Sequence, residues 1–282
     1  MCITCGCETT GHEHGHQHRH DDGTVHSHVH SHEHGHVHGD EHGHEHGHEH
    51  EQGDASVSRA RMTVETDILA RNDRLAAANR AIFAQHGIFV LNLVSSPGSG
   101  KTTLLERTLK DLAGRFRCAV IEGDQQTDND AVRIAATGVP VRQINTGTGC
   151  HLDAHMVRHA LDHFDLHQLD ILLIENVGNL VCPASFDLGE HHKAVVLSVT
   201  EGEDKPLKYP QMFHAADVML LNKVDLLPHV EFSVERCLEM ARRVRPDATI
   251  FEVSARSGAG MDAWYAWLAA GVAGTRNAVK KG

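Results

Sequence analysis

The stretch VSSPGSGKTTLLE, residues 94–106, constrains the fold of this chain more than any other. An apolar run, IFVLNLVSS, leads into it and a helical pattern leads out. A glycine-rich turn from strand to helix that closes on Lys-Thr is built to wrap phosphate. Its backbone N–H groups turn inward, and the first helical turn adds the positive end of its dipole. In an open α/β sheet such a loop lies at the carboxyl edge of the strands, so further strands must flank it. CAVIEGD, VRQINT, DILLIENVG, AVVLSVTEG, DVMLLNKVD and TIFEVSA supply them. Continuous β-branched runs separated by helical patterns predict an α/β fold, with a mostly parallel sheet covered by helices on both faces.

Within the loop, Pro97, Gly98, Ser99, Gly100, Lys101, Thr102 and Thr103 form the expected phosphate cradle, although Ser95 stands where the strict pattern writes its first glycine. Lys101 would reach the β- and γ-phosphates, and the Thr102 hydroxyl would ligate Mg²⁺. Asp124 and Glu175 end two strands at the edge where ligands gather. Each could orient Mg²⁺, directly or through water, or position the attacking water; the alternative is that they only cap loops. Gly178 offers an amide to a γ-phosphate and the freedom to rearrange afterwards.

The base is read from LLNKVDLL. The Asp225 carboxylate accepts from guanine N1–H and the exocyclic amine, a donor pair that adenine lacks, so a wrong base would leave a buried carboxylate unpaired. Lys223 can lay its methylene stem over the base, and Asn222 can tie neighbouring loops. Ser254 and Ala255 in EVSAR supply a last loop whose N–H can meet the guanine oxygen. The expected nucleotide is GTP, with GDP as product. No arginine finger or catalytic glutamine is identifiable, which predicts slow turnover.

Metal-binding residues fall into three groups. MCITCGC places the thiolates of Cys2, Cys5 and Cys7 within reach of one ion, and removal of Met1 would add the amine of Cys2. A mixed S/N set of this kind suits square-planar nickel(II), with zinc(II) the runner-up. Next comes a tract with 17 of the 27 histidines between His12 and His50, alternating with Gly, Glu and Asp. Without fixed geometry it would hold several ions loosely and exchange them, as a reservoir does. Residues 1–54 have too little apolar content to fold by burial and are expected to be disordered without metal; residues 55–282 form the nucleotide-binding domain. The third group, Cys150, His151 and Cys182, lies inside that domain. Spacing alone leaves metal binding and simple burial equally open. Cys118 and Cys237 are expected in the core, His155, His159, His163 and His167 on a solvated helix face, and Trp264 and Trp267 between the last helix and the sheet.

Charge and hydropathy exclude other classes. With 38 Asp+Glu against 26 Lys+Arg, the chain lacks the basic face that nucleic acid requires. No apolar run reaches membrane-spanning length, and the N-terminus has no apolar signal region. Seven cysteines in a chain this long read as reduced thiols in a cytoplasmic protein.

Taken in order, CITCGC, the histidine tract, SSPGSGKTT, EGDQQTDNDA, NTGTGCHLDA, LLIENVGNLVCP and LLNKVDLLP resemble one family over essentially the whole chain: the HypB-type nickel-inserting GTPases of [NiFe]-hydrogenase maturation. The resemblance implies a P-loop GTPase of the dimer-forming class. GTP would favour a homodimer with Cys150, His151 and Cys182 as a metal site near its interface, and Cys2, Cys5 and Cys7 would be the tight nickel site. Implied partners are the HypA-type accessory protein and the hydrogenase large-subunit precursor. The related urease-type GTPases carry Cys-Pro-His; here Cys182-Pro183 is followed by Ala184, which weighs against them. A GTPase serving urease or a cobalamin enzyme, or a protein mainly storing nickel, are the alternatives.

Overall fold

The computed structural model describes residues 16–19, 25–28, 51–125 and 128–280. Cys2, Cys5, Cys7 and most of the histidine tract lie outside the described residues, as does most of the 1–54 segment expected to be disordered. The chain divides into two compact units, at Gly6–Met62 and from Thr63 onward. In the first, β1 (His16–Arg19) and β2 (Val25–His28) pair antiparallel, with His16 opposite His28 and His18 opposite His26.

The second unit is built on seven parallel strands: β3 (Phe89–Ser95), β4 (Cys118–Asp124), β5 (Val141–Asn145), β6 (Ile171–Glu175), β7 (His192–Ser198), β8 (Val218–Asn222) and β9 (Thr249–Glu252). Their order across the sheet is β5-β4-β6-β3-β7-β8-β9. Each corresponds to one of the apolar runs in the sequence, and the architecture is the expected one. β4 and β5 lie to one side of β3, and β7, β8 and β9 to the other. Connections therefore leave the centre in opposite directions and open a crevice at the carboxyl ends of the strands.

Period-two alternation sends successive side chains to opposite faces. Phe89, Leu91 and Leu93 of β3 pack with α2 (Lys101–Asp111) and α8 (Met261–Val279), where Trp264 is fully buried and stacks on Trp267. Trp264 Nε1 donates to Thr108 Oγ1 at 3.1 Å, so this large side chain buries no unpaired donor. Val90 faces the other way with Ala119, Ile121, Leu172 and Ile174, against α1 (Glu51–His86) and α4 (Ala154–Leu161). On the same face, α6 (Pro210–Ala215) and α7 (Val234–Val244) cover β7 and β8. Two short helices complete the set, α3 (Asn129–Ala135) and α5 (Lys205–Lys208).

In α1, Ile68 is 49% exposed, and the buried positions are Asn72, Ala76, Asn79 and Phe83. The two asparagines are tolerated because each meets loop backbone. Asn72 accepts from Ala154 N–H at 2.9 Å and donates to Asp187 C=O at 2.8 Å; Asn79 donates to the carbonyls of Ala154 and Leu188 at 2.9 and 3.1 Å.

Candidate functional site

The loop after β3 and the start of α2 line a cleft of about 570 Å³, together with Asp124, Gln125, Asp130, Arg133, Val177, Gly178 and Lys223. The structure thus brings Pro97–Thr103, Asp124 and Gly178 to one cavity. Gly100 sits at φ 89°, in the left-handed region, and a Cβ there would lie 2.8 Å from Asn222 Nδ2. Only glycine lets the loop turn so close to β8. It also leaves the amino end of α2 without a side-chain cap, so those N–H groups remain available to phosphate. Gly178 serves a close approach: a Cβ would press on Pro97 at 3.3 Å, so the segment after β6 lies directly on the phosphate loop.

Glu175 lies beneath that loop and is 1% exposed. Its Oε1 accepts from Lys101 Nζ at 3.0 Å and from Thr102 Oγ1 at 2.7 Å, while its Oε2 is buried without a hydrogen-bond partner. A buried carboxylate oxygen with spare acceptor capacity, beside a threonine hydroxyl and Asp124, fits a hard divalent cation such as Mg²⁺.

Two residues escape the motif reading, one buried in the sheet beside Glu175 and one lining the cleft. Glu122 is the parallel-register partner of Glu175 and is 2% exposed. Burial, then the negative charges of Glu175 and Asp124, push its carboxyl up to about 8. The signal was its position two residues before Asp124, which puts both side chains on the same face of β4. Arg133 of α3 donates to Thr103 Oγ1 at 3.1 Å and to Glu106 at 2.6 Å. No motif marks it, because α3 is joined to the loop only by the fold.

A second cavity of about 200 Å³ is lined by Gly100, Thr103, Asn222, Lys223, Asp225, Leu226, Ser254, Ala255 and Arg256. Asn222 Nδ2 donates to Ser99 C=O at 3.1 Å and its Oδ1 accepts from Ala255 N–H at 3.3 Å, so it joins the phosphate loop to the last strand-end loop. Lys223 Nζ donates to Gly98 C=O at 2.7 Å, and this lysine is the one non-glycine with positive φ among the described residues. Such strain persists only where surrounding contacts impose it. Ser254 Oγ donates to Asp225 Oδ1 at 2.5 Å, which orients the carboxylate toward the cavity edge.

The metal-ligating atoms of Cys150, His151 and Cys182 all lie within 4.8 Å of one another. The first two precede α4; Cys182 opens a 3₁₀ turn, Cys182–Ser185, held by Asn179 Oδ1 accepting from Val181 N–H at 2.7 Å. Burial lowers the His151 pKa and favours the neutral, ligating imidazole, which packs on Phe186 with ring centroids 3.9 Å apart. Two thiols and one imidazole are a soft donor set for a borderline transition ion, and three ligands leave a position open for exchange. By contrast, Cys118 and Cys237 are buried, and desolvation pushes each thiol up to about 12, which makes them inert packing residues. His155, His159, His163 and His167 are exposed, but they do not share one helix face as expected: α4 ends at Leu161, so His163 lies in the turn after it and His167 in a separate 3₁₀ turn. His155 and His159 approach each other, Nε2 to Nε2, at 3.1 Å. Among the described residues no helix is long and apolar enough to cross a membrane.

Residues 89–252 match the family described as CobW/HypB/UreG, nucleotide-binding domain. The hydrogenase maturation factor HypB of Azotobacter vinelandii is 67% identical over 213 residues, covering 75% of this chain and 70% of the relative. Two crystal structures are similar. HypB from Archaeoglobus fulgidus superposes with a TM-score of 0.68 at 39% identity, covering 72% of this chain and 99% of that one. HypB from Helicobacter pylori in complex with nickel has a TM-score of 0.69 at 42% identity, covering 72% and 95%.

Proposed function

The chain belongs to the HypB hydrogenase maturation GTPases of the CobW/HypB/UreG family, and from that premise we propose that it hydrolyses GTP slowly to govern the uptake and release of nickel(II) destined for the [NiFe]-hydrogenase large-subunit precursor. The observation that carries this reading is a single short segment. Glu175 lies on Lys101, Gly178 lies on Pro97, and Cys182 belongs to the Cys/His/Cys cluster. Whatever phosphate does to this segment is felt where the ion is held.

In this reading the loop amides and Lys101 hold the β- and γ-phosphates, and Asp225 selects guanine. Thr102, Asp124 and Glu175 would hold Mg²⁺, whose chemistry is to neutralise charge on the transferring phosphoryl group. The positioned amides and Lys101 do the same from the protein side, without reorganising as charge develops. Loss of the γ-phosphate frees Gly178 from its amide contact and lets the turn carrying Cys182 shift. Cys150, His151 and Cys182 bind nickel(II), with zinc(II) the competing ion, at a site bordering a GTP-favoured homodimer. Cys2, Cys5 and Cys7 supply a tighter site, and the histidine tract a reservoir. The HypA-type accessory protein is the partner in transfer.

The test loads the full-length chain with nickel and follows transfer to a chelating dye while sedimentation reports oligomeric state. Release should quicken with GTP and not with a non-hydrolysable analogue. Equal release with GTP, analogue and GDP, together with unchanged sedimentation, would remove the reading.

A further inference from the structure

Asn176 follows Glu175 directly and is 1% exposed. Its Oδ1 accepts two hydrogen bonds of 3.0 Å, one from Val177 N–H and one from Leu152 N–H. Val177 and Gly178 line the phosphate cleft, whereas Leu152 is the residue after His151. One buried oxygen is therefore shared between backbone that meets phosphate and backbone that carries two residues of the metal cluster.

The other end of the amide reaches the remaining arm. Asn176 Nδ2 donates to Asn92 Oδ1 at 3.2 Å, and Asn92 Nδ2 donates to Glu190 Oε1 at 3.0 Å. Lys193 Nζ lies 3.9 Å from that same Glu190 oxygen. It donates to the carbonyls of Pro183, Ala184 and Phe186 at 2.8, 3.3 and 3.0 Å, the backbone that follows Cys182. Asn92, Glu190 and Lys193 are all buried. Buried polar groups cannot drop a partner for water, so displacing one member obliges the next to follow.

We propose that Asn176 is the positioning residue through which the phosphate cleft governs the Cys150–His151–Cys182 cluster. Movement of Val177 and Gly178 on γ-phosphate engagement turns the Asn176 amide. One oxygen then shifts Leu152 and the Cys150–His151 arm, while the nitrogen acts through Asn92, Glu190 and Lys193 on the turn that begins at Cys182. Asn72 and Asn79 of α1 brace the same two loops, through Ala154, Asp187 and Leu188, without a hydrogen bond to residues 175–178. They support the cluster; Asn176 informs it. Among the described residues the side chain of Gln125, also in the cleft, donates only to the Gly149 carbonyl and so touches one arm.

The inference rests on the nucleotide–metal coupling proposed above, and its test separates the two. Full-length chain carrying Cys2→Ala, Cys5→Ala and Cys7→Ala is titrated with nickel(II) in GDP and in a non-hydrolysable GTP analogue. Thiolate-to-nickel absorption then reports Cys150 and Cys182, and the histidine tract contributes no thiolate band. The parent should show an affinity ratio between the two forms of about 5-fold or more. Asn176→Ala should bring the ratio close to 1 while both nucleotides still bind. Asn176→Asp should keep most of it, because a neutral buried carboxyl retains the shared acceptor and can donate its hydroxyl to Asn92. Asn72→Ala should weaken nickel equally in both forms and leave the ratio unchanged. A coupled parent beside an equally coupled Asn176→Ala overturns this inference alone; equal affinities in the parent overturn the coupling and this inference with it. Should Asn176→Ala lose its cooperative thermal transition, Asn92→Ser carries the same expectation, and an unchanged ratio there is equally fatal.

Discussion

Lys101 Nζ donates to Glu175 Oε1 at 3.0 Å, an ion pair whose side chains are 10% and 1% exposed. Removing one member of so buried a pair strands the other charge. Lys101→Ala should therefore lower nucleotide affinity at least about 100-fold and cost roughly 1–3 kcal/mol of stability. Calorimetric titration with GDP and thermal unfolding measure the two effects. Glu175→Gln keeps an acceptor for Thr102 and should leave GDP affinity within a few-fold while turnover falls about 10-fold or more.

Asp225 is held by Ser254 at the edge of the smaller cavity. Asp225→Asn replaces an acceptor with an amide that can donate to the 2-carbonyl of xanthine and cannot accept the guanine amine. GTP affinity should fall about 100-fold or more and xanthosine triphosphate should become the better ligand, as competition binding would show. Retained GTP preference would mean that this cavity does not hold the base.

Glu122 supplies a pH signature. Its folded value, about 8, lies above the ordinary unfolded value of about 4.3, so the folded chain binds more protons between these limits and loses stability as pH rises through them. Glu122→Gln should hardly change the melting temperature of the nucleotide-free protein at pH 5 and raise it at pH 8, by roughly 2–4 kcal/mol in stability. A pH-independent effect would contradict the assignment.

Asp170 works in the opposite sense. Burial alone would raise its pKa, but hydrogen bonds from the Arg117 side chain and backbone and from Arg276 hold it down to about 2. The folded value lies below the unfolded one of about 3.9, so the stabilisation is complete above pH 4 and is lost as pH falls toward 2. The two guanidiniums are half-exposed, so the contribution is about 1–2 kcal/mol. Asp170→Asn should remove that much at pH 7 and nothing at pH 2, by urea unfolding.

Cys182 is 3% exposed yet belongs to the ion-binding cluster. In the chain lacking Cys2, Cys5 and Cys7 thiols, Cys182→Ala should abolish most thiolate-to-nickel absorption and leave GDP affinity within about twofold, at a packing cost of roughly 1 kcal/mol. An undiminished band would place the ion elsewhere.

What could be read from the sequence is what depends on neighbouring positions. The cradle from Pro97 to Thr103 acts through consecutive backbone N–H groups, and Asn222, Lys223 and Asp225 act from one strand end, so chemistry and spacing coincide in the letters. The five inner strands were legible for the same reason, because burial on both faces writes continuous apolar runs; β5 and β9, at the sheet edges, are only partly buried. Only the tertiary structure decided which distant positions meet. Strand register set Glu122 against Glu175, and the return of the chain after β6 brought Cys182 to Cys150 and His151. The fold also set Asn72 and Asn79 into the buried stripe of α1, beside Ala76 and Phe83. Those outcomes depend on hydrogen-bond partners supplied by loops far away in the chain: an asparagine reads as surface until the carbonyl and N–H that satisfy it are in place.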